Sequence, residues 1–416
     1  MMKKPNHRIE LTLGWRNVWK NRRRTVLTLL TIMVGCSMII FMKAVQKGAF
    51  GQMIEDAVSA NTGHIQIHEA GFWENMSIDY ALMPDKSMLS RLRSIPSIEA
   101  FSIRLHTAGF ISSGSTTEGA VIQAVDPDRE RAVTNIHSRI LPGGRYLQKS
   151  DRKQTVVGEG LAKNLGVRVG DTIAMISQGF DGSIAAANLT VVGLFKTDNP
   201  EYDSALIILP LSQAMETFTM MGYVNSITLR LRDGMTMEAT RDRLRQAFAG
   251  RGLEVLGWDE LMPDMVQFID MKHFGTYIFE FILFTLVAFG VMNTIQMSVY
   301  ERIRELGIMM AIGTTPGQVR RMVHLESLFI ALIGVLLGSS LGSALSLYFT
   351  FNPLDYSSLA DQMSVWGISM TKFPARLELS NILSTSGMML IVSVLFTISP
   401  ARHASRLRPI EAIRKL

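Results

Sequence analysis

The 416 residues, 47% hydrophobic and 19% charged, allow two or three structural units and suit a few membrane spans joined to a sizeable water-soluble domain. The net charge of +6 is concentrated beside apolar runs (Lys3, Lys4, Arg8, Arg16, Lys20, Arg22, Arg23 and Arg24 before the first, Arg402, Arg406, Arg408, Arg414 and Lys415 after the last), which argues for orientation against anionic headgroups and against nucleic acid. The single cysteine, Cys36, excludes an internal disulfide, and the lack of any Gly-Lys dipeptide excludes a phosphate-cradling Walker A loop, so this chain does not hydrolyse ATP by itself.

Residues 1–24 mix Leu11, Leu13, Trp15, Val18 and Trp19 with Arg16 and Lys20, the pattern of a cytoplasmic helix lying in the headgroup layer. Residues 25–42 carry no charge. A hydrocarbon core needs about 20 helical residues, so 25–45 reads as a first membrane span with Lys43 snorkelling at its outer end. Cys36 follows Val34-Gly35, weakly like a lipoprotein processing site, but Met33 suits that poorly and the apolar run continues; it reads as a small membrane-helix residue.

From 46 to 276 the chain turns soluble and is expected to lie in the periplasm. Residues 47–60 and 259–276 read as stalk helices, the second limited by Pro263. Between them lie two strand–helix–strand patterns, at 63–68, 85–94 and 98–105, and at 224–231, 236–249 and 253–258. Two such units can share one sheet in a ferredoxin-like, porter-like arrangement over 61–105 and 223–258. Residues 106–222, with turn-rich strands at 155–158, 172–177, 189–194 and 205–209, then form an inserted β-rich subdomain. The expected fold class is an α-helical membrane protein with four transmembrane helices plus an α+β extracytoplasmic domain. His64 and His68 have a spacing that would present two metal ligands on a helix, but the local pattern is a strand without a third ligand, and no metal is assigned. Asn199-Pro200-Glu201-Tyr202-Asp203 reads as a connecting turn.

Further spans are read at 277–299, 325–350 and 381–399, with an outer loop at 351–380 and a cytoplasmic tail at 400–416 that begins where Pro400 ends the fourth span. In the third, Gly334, Gly338 and Gly342 recur every four residues and leave one helix face smooth for close approach, within a bundle or at a dimer interface. Basic residues before the first span, in 300–324 (Arg302, Arg304, Arg320 and Arg321) and in the tail put all three segments, and both termini, on the cytoplasmic side.

Segment 300–324 is a short charged helix, a Gly-Thr-Thr-Pro turn and a second helix with Thr315 as N-cap and Pro316 as its first residue. Glu301 with Arg304 and Arg302 with Glu305 are spaced as i,i+3 pairs. The order Glu301-Arg302-x-Arg304-Glu305-x-Gly307-Ile308-x-x-Ala311-x-Gly313 resembles the signature of the FtsX/MacB-type, or mechanotransmission, permeases of ATP-binding-cassette (ABC) systems, and residues 400–414 resemble the closing motif of the same superfamily, an FtsX-like region over 277–410. The resemblance implies a coupling helix that contacts a separate ABC ATPase subunit, present in two copies. Glu301, Arg302, Arg304, Glu305, Gly307, Met309, Met310, Ala311 and Gly313 are then the expected coupling residues, with Met309, Met310 and Ile312 filling a cleft on the ATPase. This chain would be a non-catalytic permease with no bound cofactor, ATP and Mg being used by the partner. It would work beside a second permease copy or paralogue in the bacterial inner membrane.

Within that superfamily the lack of a fused ATPase, an outer domain of roughly 230 residues and the strand opening Thr62-Gly63-His64-Ile65-Gln66-Ile67 resemble the lipoprotein-releasing permeases of the LolC/LolE kind. That likeness implies lipoprotein cargo and a periplasmic chaperone or adaptor. The alternatives are MacB-like efflux of peptides, antibiotics or other amphiphiles, and FtsX-like signalling to a cell-wall hydrolase. No Gly-x-Ser-x-Gly or His-Glu-x-x-His motif supports an enzyme.

Overall fold

The computed structural model describes residues 7–114, 116–197, 199–355 and 372–406. The expected contributions of Lys3, Lys4 and of 407–414 in the tail motif, and most of the outer loop, lie outside the described residues. The main helices in chain order are α1 (His7–Val18), α2 (Arg22–Ala57), α3 (Lys86–Ser94), α4 (Pro127–Val133), α5 (Glu159–Leu165), α6 (Met237–Ala247), α7 (Pro263–Glu301), α8 (Ile303–Ala311), α9 (Pro316–Phe351), α10 (Leu379–Phe396) and α11 (Ile398–Ser405), with short helical turns between some of them. Strands are β1 (Ile65–Glu69), β2 (Ile98–Ser112), β3 (Thr117–Val125), β4 (Gln154–Gly158), β5 (Thr172–Gln178), β6 (Ile184–Phe195), β7 (Leu206–Pro210), β8 (Ser226–Leu231) and β9 (Leu253–Gly257). Contacts divide the described chain into a helical unit of 7–52, 269–355 and 372–406 and a sheet-bearing unit of 53–268.

Among the described residues four helical stretches are long and apolar enough to cross a membrane, Arg22–Thr62, Pro263–Glu301, Pro316–Phe351 and Leu379–Ser405, with mean hydropathy between 1.9 and 2.3. The glycines of α9 face α2 of the same chain. A Cβ on Gly334 would stand 2.9 Å from Ile32, one on Gly338 2.8 Å from Cys36, and one on Gly342 2.9 Å from the Ser37 carbonyl. Gly35 makes the matching approach from α2 to Val287 of α7. Two ion pairs join α2 to α7, Arg24–Glu301 at 2.8 Å and Lys43–Glu280 at 3.1 Å. Pro400 does not end the last apolar helix. The break comes at Thr397, and helix resumes with Pro400 in the first turn of α11, where a missing N–H leaves no bond unmade.

In the sheet-bearing unit β9-β1-β8-β2 run antiparallel in the order fourth, first, third, second, as a ferredoxin-like sheet requires. Helices α3 and α6 add Leu92 and Leu244 to a core with Ile65, Ile67, Leu229 and Val255. Strand β2 is twice the length expected. It pairs with β8 over Ile98–Arg104; from Arg104 it pairs with β3, and β5 takes over the edge that β8 leaves. Pairings β3–β7, β7–β4, β4–β6 and β6–β5 then close a ring of six strands around Ile111, Ile122, Ile173, Met175 and Leu189. The insert is therefore a small closed barrel, and the boundary expected at 105/106 falls inside a strand common to both sheets. Strand β3, unread in the sequence, is one of its staves.

Arg104 marks the handover. It is 0% exposed, yet its guanidinium grips Glu130 of α4 with two bonds, at 2.6 and 3.2 Å, and donates to the Asn61 carbonyl at 2.6 Å. Thr134 donates a further bond to the Glu130 carboxylate at 3.0 Å. The residues expected to form a turn at 199–203 make a capped helical turn, in which buried Asp203 accepts from the Thr197 amide at 2.9 Å.

Candidate functional site

Helix α8 owes its place to breaks on both sides. The α7 helix stops at Arg302, whose φ of −111° is not helical, and the chain turns into α8. At the far end Gly313 takes φ +105°, the left-handed region in which a Cβ is unfavourable. The Gly313 amide donates to the Met310 carbonyl at 3.2 Å and the Thr314 amide to the Met309 carbonyl at 2.9 Å, a Schellman closure. Thr315 and Gln318 then form a reciprocal capping box that starts α9, with Pro316 as its first residue. The turn is thus held by local chemistry at each end.

A web of charges fixes α8 against its neighbours. Glu301 accepts from Arg24 at 2.8 Å and from Asn21 at 3.3 Å; Lys20 pairs with Glu305; and Arg302 reaches Glu326 of α9 at 3.1 Å. Ser298 adds a 3.3 Å bond to buried Glu326. The expected Arg302–Glu305 pair is present at 3.4 Å. The expected Glu301–Arg304 pair is replaced by Glu301–Arg24, because Glu301 closes α7 while Arg304 lies beyond the break, and three residues across a break do not share a face. The hydrogen bond from Lys20, with Arg302 nearby, holds the Glu305 carboxyl below the usual carboxylate range. Both side chains of the Lys20–Glu305 pair are half exposed, so it contributes little to stability and serves chiefly to orient the helix.

The phase of α8 decides what it shows. Leu306 and Gly307 are buried, and Met309 and Met310 are half-buried against a core containing Val319, Met322 and Val323. Arg304, Ile308, Ala311 and Ile312 are exposed at i, i+4, i+7 and i+8, a single stripe. Ile312 is 80% exposed and Ile308 44%. Of the nine expected coupling residues, Glu301, Arg304, Glu305, Ala311 and Gly313 are therefore exposed, while Arg302, Gly307, Met309 and Met310 are turned toward the bundle. Ile308, outside the expected set, shares this exposed face because the helix begins at Ile303 and places it one turn beyond Arg304. Gly334, Gly338 and Gly342 take no part in this surface. Among the described residues no group of three His, Cys, Asp or Glu is placed to hold a metal ion.

An amphipathic helix standing between two apolar helices, anchored by charge on one side and bare on the other, can receive a partner. Residues 25–247 match the family model of the MacB-like periplasmic core domain, and residues 277–409 that of the FtsX-like permease C-terminal region. The chain belongs to the FtsX/MacB-type permease family. Permeases of this family work with ABC ATPases. Over 410 residues the chain is 25% identical to a macrolide export ATP-binding/permease protein MacB of Neisseria meningitidis, covering 95% of this chain and 59% of that protein. It is 22% identical over 411 residues to an uncharacterized ABC transporter permease of Methanocaldococcus jannaschii, covering 97% of each. The chain thus spans about three-fifths of the length of its macrolide-export relatives. The periplasmic region of MacB from Actinobacillus actinomycetemcomitans aligns with 51% of the chain and 97% of its own length, at 15% identity and a TM-score of 0.36. In this FtsX/MacB-type permease α8 lies within the matched FtsX-like region, and the closed barrel and most of the ferredoxin-like sheet lie within the matched core domain.

Proposed function

We propose that this permease is the membrane subunit of an ABC exporter in which two copies of a separate ATPase seat against α8 and drive movement of the periplasmic unit. The observation that carries the reading is the bare stripe Arg304, Ile308, Ala311 and Ile312 on a helix otherwise fixed by Lys20, Arg24 and Glu326. Apolar side chains flanked by one cation suit insertion into a groove on a partner, and the anchored side can pass a push to α2 and α9. ATP and Mg act on the ATPase, and a second permease copy or paralogue completes the pair. Both termini and α8 face the cytoplasm of a bacterial inner membrane.

Efflux of an amphiphile is the better supported cargo reading, because the MacB protein that aligns with 95% of this chain is named for macrolide export. Lipoprotein release has in its favour the size of the outer domain and the likeness of the strand opening Thr62-Gly63-His64-Ile65-Gln66-Ile67. A membrane-fusion adaptor is the periplasmic partner that accompanies the efflux reading.

The test uses the tagged full chain together with the ATPase that co-purifies with it from native membranes. Ile308→Asp with Ile312→Asp should leave the permease folded and reduce ATPase recovery about tenfold, the effect of withdrawing two apolar anchors from a groove. Undiminished recovery would remove the docking assignment. Depleting the permease should raise cellular accumulation of macrolides while lipoprotein sorting stays normal; the reverse outcome would restore the releasing system.

A further inference from the structure

The helical unit also holds an open groove of about 710 Å³ where α7, α10 and α11 meet. Its apolar wall is formed by Met292, Leu395 and Phe396, and its end by Arg402, His403 and Arg406. We infer that this groove binds one anionic phospholipid, its phosphate held by Arg402, His403 and Arg406 and its upper acyl chain lying along Met292, Leu395 and Phe396.

Three observations support that occupant. First, Arg402 and Arg406 are exposed and have no carboxylate partner among the described residues, whereas Lys20, Arg24 and Arg302 at α8 are all matched by Glu301, Glu305 or Glu326. Second, the basic end is built in place. The His403 ring stands edge-on to Tyr300 at 5.4 Å, and at the apolar side Phe396 meets Phe289 edge-on at 5.9 Å, so the walls are braced by aromatic contacts between α7 and the last two helices. Third, the order of chemistry along the groove matches the ligand. The apolar residues belong to stretches with mean hydropathy of 2.0 and 1.9, and the cations follow one to three helical turns beyond them, where a span leaves the hydrocarbon for the headgroups. Its volume falls within the ordinary range of small-molecule sites. A free phosphate would use the cations and leave the apolar wall unoccupied; a zwitterionic lipid would fill the wall and leave the cations without excess negative charge.

The test places the full-length permease in vesicles doped with a phosphatidylglycerol carrying a photoreactive acyl chain, or with the phosphatidylcholine equivalent, and maps the labelled peptides. The phosphatidylglycerol probe should label 289–300 and 391–406, with the phosphatidylcholine probe giving less than about a tenth of that signal, the preference expected of two arginines near an anionic headgroup. Arg402→Gln with Arg406→Gln should lower the anionic signal about tenfold, and Arg22→Gln with Arg23→Gln should leave it unchanged. Excess inorganic phosphate should not displace the label. Equal labelling by both lipids, labelling elsewhere only, or full displacement by inorganic phosphate would each overturn the inference. Because the wild-type map is decisive by itself, the result does not depend on the variant folding.

Discussion

The two units of this permease are built inside out with respect to each other. In the sheet-bearing unit the large apolar side chains are hidden, with Ile67, Leu105, Phe218 and Leu229 all buried, while in the helical unit Leu27, Phe281, Leu336 and Leu383 are exposed and the close contacts belong to Gly35, Gly334, Gly338 and Gly342. The difference follows from solvent. Water drives a leucine inward, at about 25 cal/mol per Å² of apolar surface removed. Lipid tails are as apolar as leucine and give no such drive, so helices in lipid gain by bringing backbones together over small residues.

Ionic chemistry follows the same division among the described residues: the sheet-bearing unit hides the Arg104–Glu130 pair completely, and the helical unit leaves most of its pairs at the rims. The largest effect is therefore expected at the hidden pair. Arg104→Met would leave Glu130 buried without its partner, and about 4 kcal/mol should be lost. Adding Glu130→Leu should recover most of that loss, because the carboxylate and its desolvation are then gone together. Thermal melts of the purified full chain measure both, and a double variant no better than the single would mean that the pair itself, not its desolvation, holds the joint.

Next comes the lipid-type contact. Gly338→Leu would push a side chain into Cys36 and the Met33 carbonyl and should destabilise the α2–α9 contact by about 3 kcal/mol, the upper range for overpacking. Leu336→Ala, two residues away on the exposed face, should change stability by less than about 0.5 kcal/mol. Equal sensitivity at 336 and 338 in detergent melts would break the inside-out distinction.

The smallest expected effect is a response to acid. Burial holds the imidazoles of His64, His68 and His106 below their ordinary value, His106 furthest. The unfolded chain then takes up protons first as the pH falls through about 6.5, so this part of the stability is full above that value and declines below it. Amide protection factors in the sheet-bearing unit, taken against the slower intrinsic exchange at lower pH, should fall between about pH 7.5 and pH 5.5, before carboxylates titrate. Flat protection across that interval would show that these rings adjust without cost.

Much of this division is legible in the sequence, because periodicity and hydropathy are local. The four apolar helices, the β1 and β8 alternation and the Thr315-Pro316 start of α9 are each written within a few residues. What escaped depends on distant partners. Nothing near residue 105 says that β2 changes neighbours there, since a strand that swaps β8 for β5 keeps the same alternation throughout. Arg24–Glu301 joins residues 277 positions apart, so the nearer Arg304 was the natural partner until the break at Arg302 moved it to another face. The same break rotates α8 and exchanges the exposed roles of Met309 and Ile308.

The two clasps between α2 and α7 have a further meaning. Arg24 and Lys43 are nineteen residues apart, Glu280 and Glu301 twenty-one, and at about 1.5 Å per residue these intervals are about 29 and 32 Å. That is close to the thickness of a bilayer's oily layer, about 30 Å. The paired helices thus form a plank riveted at both of its waterlines: sliding one along the other by a turn would open both rivets at once, and a markedly thinner membrane would have to tilt the plank or lift one of them into the headgroups.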